Sequence, residues 1–378
     1  MVPQRTLTAG QFAVTRHLLV HGPATRQDLG DRLNLSYASM SRLARSLVDR
    51  GMASEALEPE TAIGRPRQVL TAVPEARHVV GCKLTADTAY GVVCDMFGNV
   101  KATARAALPG PGADGGVPVD GAVKVIAQLT GRLARRVPAV DGIGVALGGV
   151  VADRVTVREG TFLGWRDVDL AGPITQRTGL PVIVTNDVTA LAREQLWFGA
   201  GRSHATFGLI TVGAGLGFGV VRDGVVVEAL IDNGHLLAHA PIDPRGPRCG
   251  LGHAGCVAAY LNREDVSAAA HHPVTFGELA RLGDPASTRQ LDGAAHALGH
   301  LVATFAGALQ TTCVVLAGED VAALTASPAM HEAIADRLRP GPAEVQRCEL
   351  DIITTPLTFT DWARGAAVAG IQNVLGGA

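Results

Sequence analysis

The chain is poor in charge and in aromatic side chains: 18% of its 378 residues are Asp, Glu, Lys or Arg, and 4% are Phe, Trp or Tyr. Its formal net charge is -2, so no global basic excess announces a nucleic-acid partner. No apolar run reaches the roughly 18 to 20 residues that a membrane span requires. The opening stretch MVPQRTLTAGQF lacks the apolar core of a secretory leader. A cytoplasmic protein with no membrane partner is expected. Cysteine is thinly spread at positions 82, 94, 249, 256, 313 and 348, and a reducing compartment argues against a disulfide framework. What is abundant is hydrophobic residues, at 47%, and glycine, at 46 positions. That composition is globular, and the length calls for two or three domains.

The charge deficit is not uniform. Over residues 1–54 there are seven arginines (5, 16, 26, 32, 42, 45 and 50) against three aspartates (28, 31 and 49), a local balance of +4. The same stretch reads as three helices. QFAVTRHLLV carries Phe12, Leu18 and Leu19 on one face and stops at His21-Gly22-Pro23. Thr25, with Asp28 three residues on, caps a second helix with Leu29 and Leu33 on its apolar side. After the turn at Asn34-Leu35, Ser36 caps a third, YASMSRLARSLVDRG, in which Met40, Leu43 and Leu47 share one face and Tyr37, Ser39, Arg42 and Arg45 take the other. Helix, short turn and polar-faced helix is the arrangement that places a second helix in a DNA major groove. Two short extended runs between Ala53 and Val73 then flank Ile63-Gly64-Arg65-Pro66-Arg67, which predicts a winged hairpin presenting Arg65 and Arg67. Residues 1–77 are thus expected to form a winged helix-turn-helix whose DNA contacts include Ser36, Tyr37, Ser39, Arg42, Arg45, Arg65 and Arg67. A small interaction domain with a solvated charged face is the plainer alternative.

From His78 the pattern changes to consecutive hairpins (HVVGCKL, AYGVVCDMF, VKATARAAL), then a helix, a buried strand DGIGVALGGVV, and a strand ending at Asn186 that runs into the helix VTALAREQLWFG. Strands ATFGLITV and GFGVVRD follow around the glycine run 213–219. Sheet and helix alternate on each side of about residue 190, which predicts an α/β body of two similar lobes with a cleft between them. The expected divisions are 78–189, completed by a C-terminal helix at about 362–378, and 190–361. Asp187, at a strand end and helix start, could act as a general base on a hydroxyl or simply serve as the helix N-cap. The glycine run could approach a phosphate or let two strands turn tightly, and it lacks the Lys-Ser/Thr ending of a nucleotide loop.

Between Gly234 and Tyr260 the chain gathers His235, His239, Cys249, His253 and Cys256 among glycines and prolines. Such a run is a loop that needs fixing by something other than regular hydrogen bonding, either a bound metal or apolar packing of the thiols.

Several of these stretches, in order, resemble the ROK family (repressors, open reading frames and sugar kinases), and in particular its winged-helix transcriptional repressors. They are Gly64-Arg65-Pro66, the FLGW run Phe162 to Trp165, TNDVTALAREQLWFGAGR, VGAGLGFGVVRDG, GPRCGLGHAGC, and DWARGAA from Asp361 to Ala367. The resemblance implies an actin-like, sugar-kinase-like (ribonuclease H-like) body after the winged helix, a sugar effector held near Asn186, Asp187 and His239, and homodimers or homotetramers on double-stranded operator DNA. It also exposes departures. Family kinases open their first strand with Asp-x-Gly-x-Thr; here the run is Lys83-Leu84-Thr85-Ala86-Asp87, which implies that ATP is not used and that Asp187 is a vestigial base. The family's sugar-gripping glutamates fall at Leu236 and Ala258. Its zinc ligands fall at His239, Cys249, Leu251 and Cys256, so one of four is lost, and His253, His235 or water is left to complete the site. The leading expectation is a DNA-binding repressor that senses a sugar or an altered ligand and is not an enzyme. The rivals are an active sugar kinase with an accessory DNA-binding module and a ligand-independent regulator.

Overall fold

The computed structural model describes residues 6–58, 67–113, 115–228, 235–270, 273–338 and 349–376, which fall into two compact units, 1–198 with 359–378 and 199–358.

The first unit begins with α1 (Ala9–His21), β1 (Ala24–Thr25), α2 (Arg26–Arg32), α3 (Tyr37–Asp49), β2 (Ala53–Glu58) and β3 (Arg67–Ala72). Each helix starts where a side-chain oxygen can take up free backbone N–H groups: Thr8 for α1, Thr25 for α2 with Asp28 answering reciprocally, and Ser36 for α3. Asn34 turns α2 into α3 at φ 53°, a conformation asparagine tolerates. The inner face of α3 is Met40, Ala44 and Leu47; Leu43, expected there, is only partly buried and lies against Gly10. Strands β1, β3 and β2 form an antiparallel sheet in that order. The expected hairpin tip, with Arg65, lies outside the described residues.

Next come β4 (His78–Leu84), β5 (Thr88–Asp95), β6 (Val100–Ala107), α4 (Val119–Ala134), β7 (Gly142–Leu147), β8 (Val150–Ala152), β9 (Thr156–Gly160), β10 (Trp165–Asp169), α5 (Ala171–Thr178), β11 (Val182–Asn186) and α6 (Asp187–Trp197). The main sheet has the order β11-β7-β4-β5-β6, antiparallel from β4 through β6 and parallel from β4 through β11. Strands β8 to β10 make a separate small sheet, because the expected run DGIGVALGGVV breaks at Gly149, whose φ of 136° few other residues adopt.

One face of the main sheet is covered by the C-terminal helix, Phe359–Leu375, which is almost entirely buried and rich in alanine and glycine. Its approach is so close that a Cβ on Gly81 would lie 2.0 Å from the Ala363 carbonyl oxygen, and one on Gly144 1.8 Å from that of Ala366. That explains glycine in the middle of two buried strands. The helix also pins α6: Arg364 pairs with the buried Glu194, and Arg193 donates to Gln372. The whole of α6 therefore stays in the first unit, which ends at Phe198 rather than at residue 189, and the returning segment starts at Phe359 rather than about 362. Trp197 at the end of α6 meets Phe12 of α1, ring centroids 6.2 Å apart, and Gly376 touches Thr6 and Leu7.

The second unit repeats the plan. Its strands β12 (Phe207–Val212), β13 (Leu216–Arg222), β14 (Val225–Val227), β15 (Cys313–Gly318) and β16 (Asp351–Pro356) have the order β14-β13-β12-β15-β16, with the same mixture of antiparallel and parallel pairs. The glycine run is the hairpin turn from β12 to β13, in which the Gly213 N–H donates to the Gly215 carbonyl. The core forms on the helix Pro285–Leu309, which buries Leu298, Leu301, Val302 and Phe305, the last edge-on to Phe218. None of the described helices is long and apolar enough to cross a membrane.

Candidate functional site

Three surfaces carry the sequence-predicted residues. The first is the outer face of α3. Tyr37 is 76% exposed, Arg42 and Arg45 project to solvent, and Ser39 is partly covered. Ser36 is committed to the helix: its hydroxyl accepts the Ser39 N–H at 3.3 Å and donates to the Ser39 hydroxyl at 3.0 Å. Arg42 reaches Ser39 at 3.4 Å, so the helix start is a connected polar row. Arg67, the first residue of β3, is also exposed.

The second surface is at the carboxyl ends of β4 and β11. Asn186 is the N-cap of α6, its amide oxygen accepting from Val188 and Thr189 and its amide nitrogen donating to the Gly149 carbonyl at 2.9 Å. Asp187 follows as the first helical residue, one carboxylate oxygen accepting the Val188 N–H and the other bound by the Lys83 ammonium. Both partners of that ion pair are largely buried, the side chains being 9% and 14% exposed. The ammonium also lies 5.4 Å from the ring centre of Trp362, a cation–π distance. Both carboxylate oxygens of Asp187 are thereby engaged by groups of the protein itself. The exposed ring of Phe162 lies 3.1 Å from where a Cβ on Gly148 would stand, and the Asp187 carboxylate 3.6 Å from it.

The third surface is in the second unit. Pro241 bridges to Cys256 and Arg248 to Ala254, so the loop folds back on itself as two short antiparallel contacts. The tight turn from Cys249 to Gly252 is closed by the Gly252 N–H on the Cys249 carbonyl at 2.7 Å, and Gly252 takes φ 86°. Gly255, at φ 55°, must be glycine also because a Cβ there would stand 1.5 Å from the Asp243 carbonyl oxygen. The turns bring together His239, Cys249, His253 and Cys256, with donor atoms all within 4.8 Å of one another. The Cys249 sulfur is 3.7 Å from the Nδ1 atoms of both His239 and His253, and the Cys256 sulfur is 3.6 Å from that of His239. A tetrahedral zinc with ordinary Zn–S and Zn–N bonds has S···N edges of about 3.6 Å. Burial, reinforced by the adjacent Cys249, holds the Cys256 thiol above its ordinary range. Of the alternatives left open at Leu251, the geometry brings in His253, whereas Leu251 itself is 62% exposed. The side chain of His235 lies outside the described residues.

Sequence reasoning missed Lys83 as the partner of Asp187 and Trp362 as its cover. The signal available was a lysine inside an otherwise apolar strand. Asn186 and Asp187 belong to the first unit and His239 to the second, and in each case the polar atoms already serve the protein's own structure.

Comparison with known proteins agrees with this arrangement. The xylose repressor of Bacillus subtilis is 22% identical over 254 residues, which is 67% of this chain and 66% of that protein's own length. The crystal structure of a ROK family transcriptional regulator, a homologue of the E. coli MLC protein, superposes with a TM-score of 0.78 at 22% identity, covering 97% of this chain and 96% of that one. The ROK hexokinase from Thermus thermophilus superposes at 0.64 with 26% identity, covering 79% of this chain and 99% of the hexokinase. Residues 98–369 match the ROK family as a whole. With the duplicated sheets, the glycine-shaped loop and that match over more than half its length, the chain belongs to the ROK family.

Proposed function

We propose that the chain is a DNA-binding transcriptional regulator, acting as a repressor, whose kinase-like body binds a sugar or a less polar small molecule and mediates self-association. The observation that carries this reading is α3. It sits second in a helix pair, buries one face, and presents Tyr37, Ser39, Arg42 and Arg45 on the other, followed by a β-hairpin in the position of a wing. The hexokinase leaves about a fifth of this chain uncovered while the transcriptional regulator spans nearly all of it, in keeping with an added N-terminal module.

Loss of phosphoryl transfer follows from Lys83. A carboxylate in its place would serve a metal and the phosphates, whereas an ammonium bonded to Asp187 both repels the metal and occupies the base. The body then serves recognition. We assign zinc to His239, Cys249, His253 and Cys256. With four protein ligands and no open position, such an ion holds the loop in shape and performs no chemistry.

The test of the DNA assignment is fluorescence anisotropy on duplex DNA from upstream of the protein's own coding region. Wild type should bind tightly and lose affinity with salt. Arg42→Ala should weaken binding about 10- to 100-fold, as expected for loss of a contact worth about 1–3 kcal/mol. Arg42 is exposed, so the melting temperature should not move. Equal affinity of the two proteins at every salt concentration would remove the DNA assignment.

A further inference from the structure

We propose that His204, Cys313 and Asp351 form a second divalent-cation site in the 199–358 unit, taking a zinc-class ion on three protein ligands with water as the fourth.

The site is built by the parallel half of the second sheet. Strands β12, β15 and β16 lie side by side, and Cys313 and Asp351 are register partners at their starts. His204 closes the 3-10 turn Ala200–Ser203 that leads into β12. Three strand beginnings thus deliver an imidazole, a thiol and a carboxylate to one spot, with donor atoms all within 4.8 Å of one another. The His204 Nε2 and Asp351 Oδ2 atoms are 3.3 Å apart, against about 3.4 Å for the N···O edge of a tetrahedral zinc.

The backbone around these donors is already fixed. The Asp351 N–H donates to the Thr312 carbonyl at 2.7 Å, the Cys313 N–H to the Thr311 hydroxyl at 3.2 Å, and that hydroxyl to the Thr206 carbonyl at 2.7 Å. Little reordering is therefore needed for the side chains to close on an ion. His204 and Asp351 are 26% and 56% exposed, which gives an ion an entry route and leaves room for a water, while Cys313 forms the buried floor. One thiolate, one imidazole and one carboxylate suit zinc better than magnesium or calcium, which prefer oxygen alone. On binding, the Cys313 thiol gives its proton to solvent and the sulfur takes the ion as thiolate. The site is separate in sequence from the His239–Cys256 cage and does not depend on it.

The experiment uses the full chain, stripped of metal by a chelator, reloaded with Zn²⁺, dialysed and counted by elemental analysis. His204→Gln with Asp351→Asn, both at the surface, should retain one zinc fewer than wild type and bind that equivalent at least about 10-fold more weakly. Cys256→Ser should leave it in place. Co²⁺ gives a second readout, since a Cys249→Ser, Cys256→Ser protein should still show thiolate-to-cobalt absorption, and adding Cys313→Ser should abolish it. If wild type and the His204/Asp351 variant hold the same number of ions, His204 and Asp351 are an ion pair only and the proposal is wrong. Absence of thiolate absorption in the folded Cys249/Cys256 variant would overturn it equally.

Discussion

Lys83→Met offers the sharpest test of how the first unit is held together. The substitution keeps the length and volume of the side chain but removes the ammonium, leaving the Asp187 carboxylate 14% exposed with the Val188 N–H as its remaining donor. Breaking a buried ion pair from one side costs about 3–5 kcal/mol. Two features reduce that here: the carboxylate retains some contact with water, and it sits at the start of α6, where the helix dipole favours a negative charge by about 0.3–1 kcal/mol. We expect a net destabilisation of about 2–3 kcal/mol. For a unit of roughly 200 residues this lowers the melting temperature by about 5–10 °C. Trp165, Trp197 and Trp362 are the chain's three tryptophans and all lie in this unit, so a fluorescence melt reads it without interference from the other. Adding Asp187→Asn removes the stranded charge and should recover at least about half of the loss, as expected of a coupled pair. A Lys83→Met protein that melts within about 1 °C of wild type, or a double variant that melts lower than the single, would refute the argument that the pair is buried and mutually dependent.

Three further outcomes are expected. Zn²⁺ loaded onto the His239–Cys256 cluster should be released at least about 10-fold more readily from His253→Gln than from wild type, read by competition with a chromophoric chelator, because the proposed four-ligand set loses one member. Gly81→Ala should destabilise the first unit by at least about 2 kcal/mol in the same fluorescence melt, since its Cβ would meet the Ala363 carbonyl oxygen at 2.0 Å and backbone must move. His300 has its proton affinity lowered by burial, then by His296 and Arg337, from the ordinary 6.5. The unfolded chain therefore takes the proton more readily, so this contribution to stability is complete above about pH 6.5 and declines as the pH falls through the folded value. Melts between pH 8 and 5 should show the decline, and His300→Gln should flatten it.

The fold was legible where its causes are local. Thr25, Ser36 and Asn34 announce their helices because a cap or a left-handed turn is decided within three or four residues, and the alternating hairpins after His78 follow from side-chain period alone. The small sheet of β8 to β10 was hidden, since its strands are three to five residues long and broken by glycine. In the site, His239, Cys249 and Cys256 could be named by composition and by likeness to a family. The choice of His253 could not, because it depends on how Gly252 and Gly255 curl the loop. Lys83 and Asp187 are 104 positions apart, and only the parallel pairing of β4, β7 and β11 brings them together. The same holds for His204, Cys313 and Asp351, which are scattered in sequence and adjacent only through sheet register.

The helix Phe359–Leu375 sets a schedule for biosynthesis. The strands it covers are complete once the ribosome has passed residue 186, yet the helix itself follows the 199–358 unit. At about 5–20 residues per second that delay is roughly 10–40 seconds. During it, Gly81, Gly144 and the apolar side chains around them face water or whatever else will cover them. A nascent chain with a finished sheet and a bare apolar face is prone to aggregate until the helix docks. Slower elongation through the inserted unit lengthens that exposure.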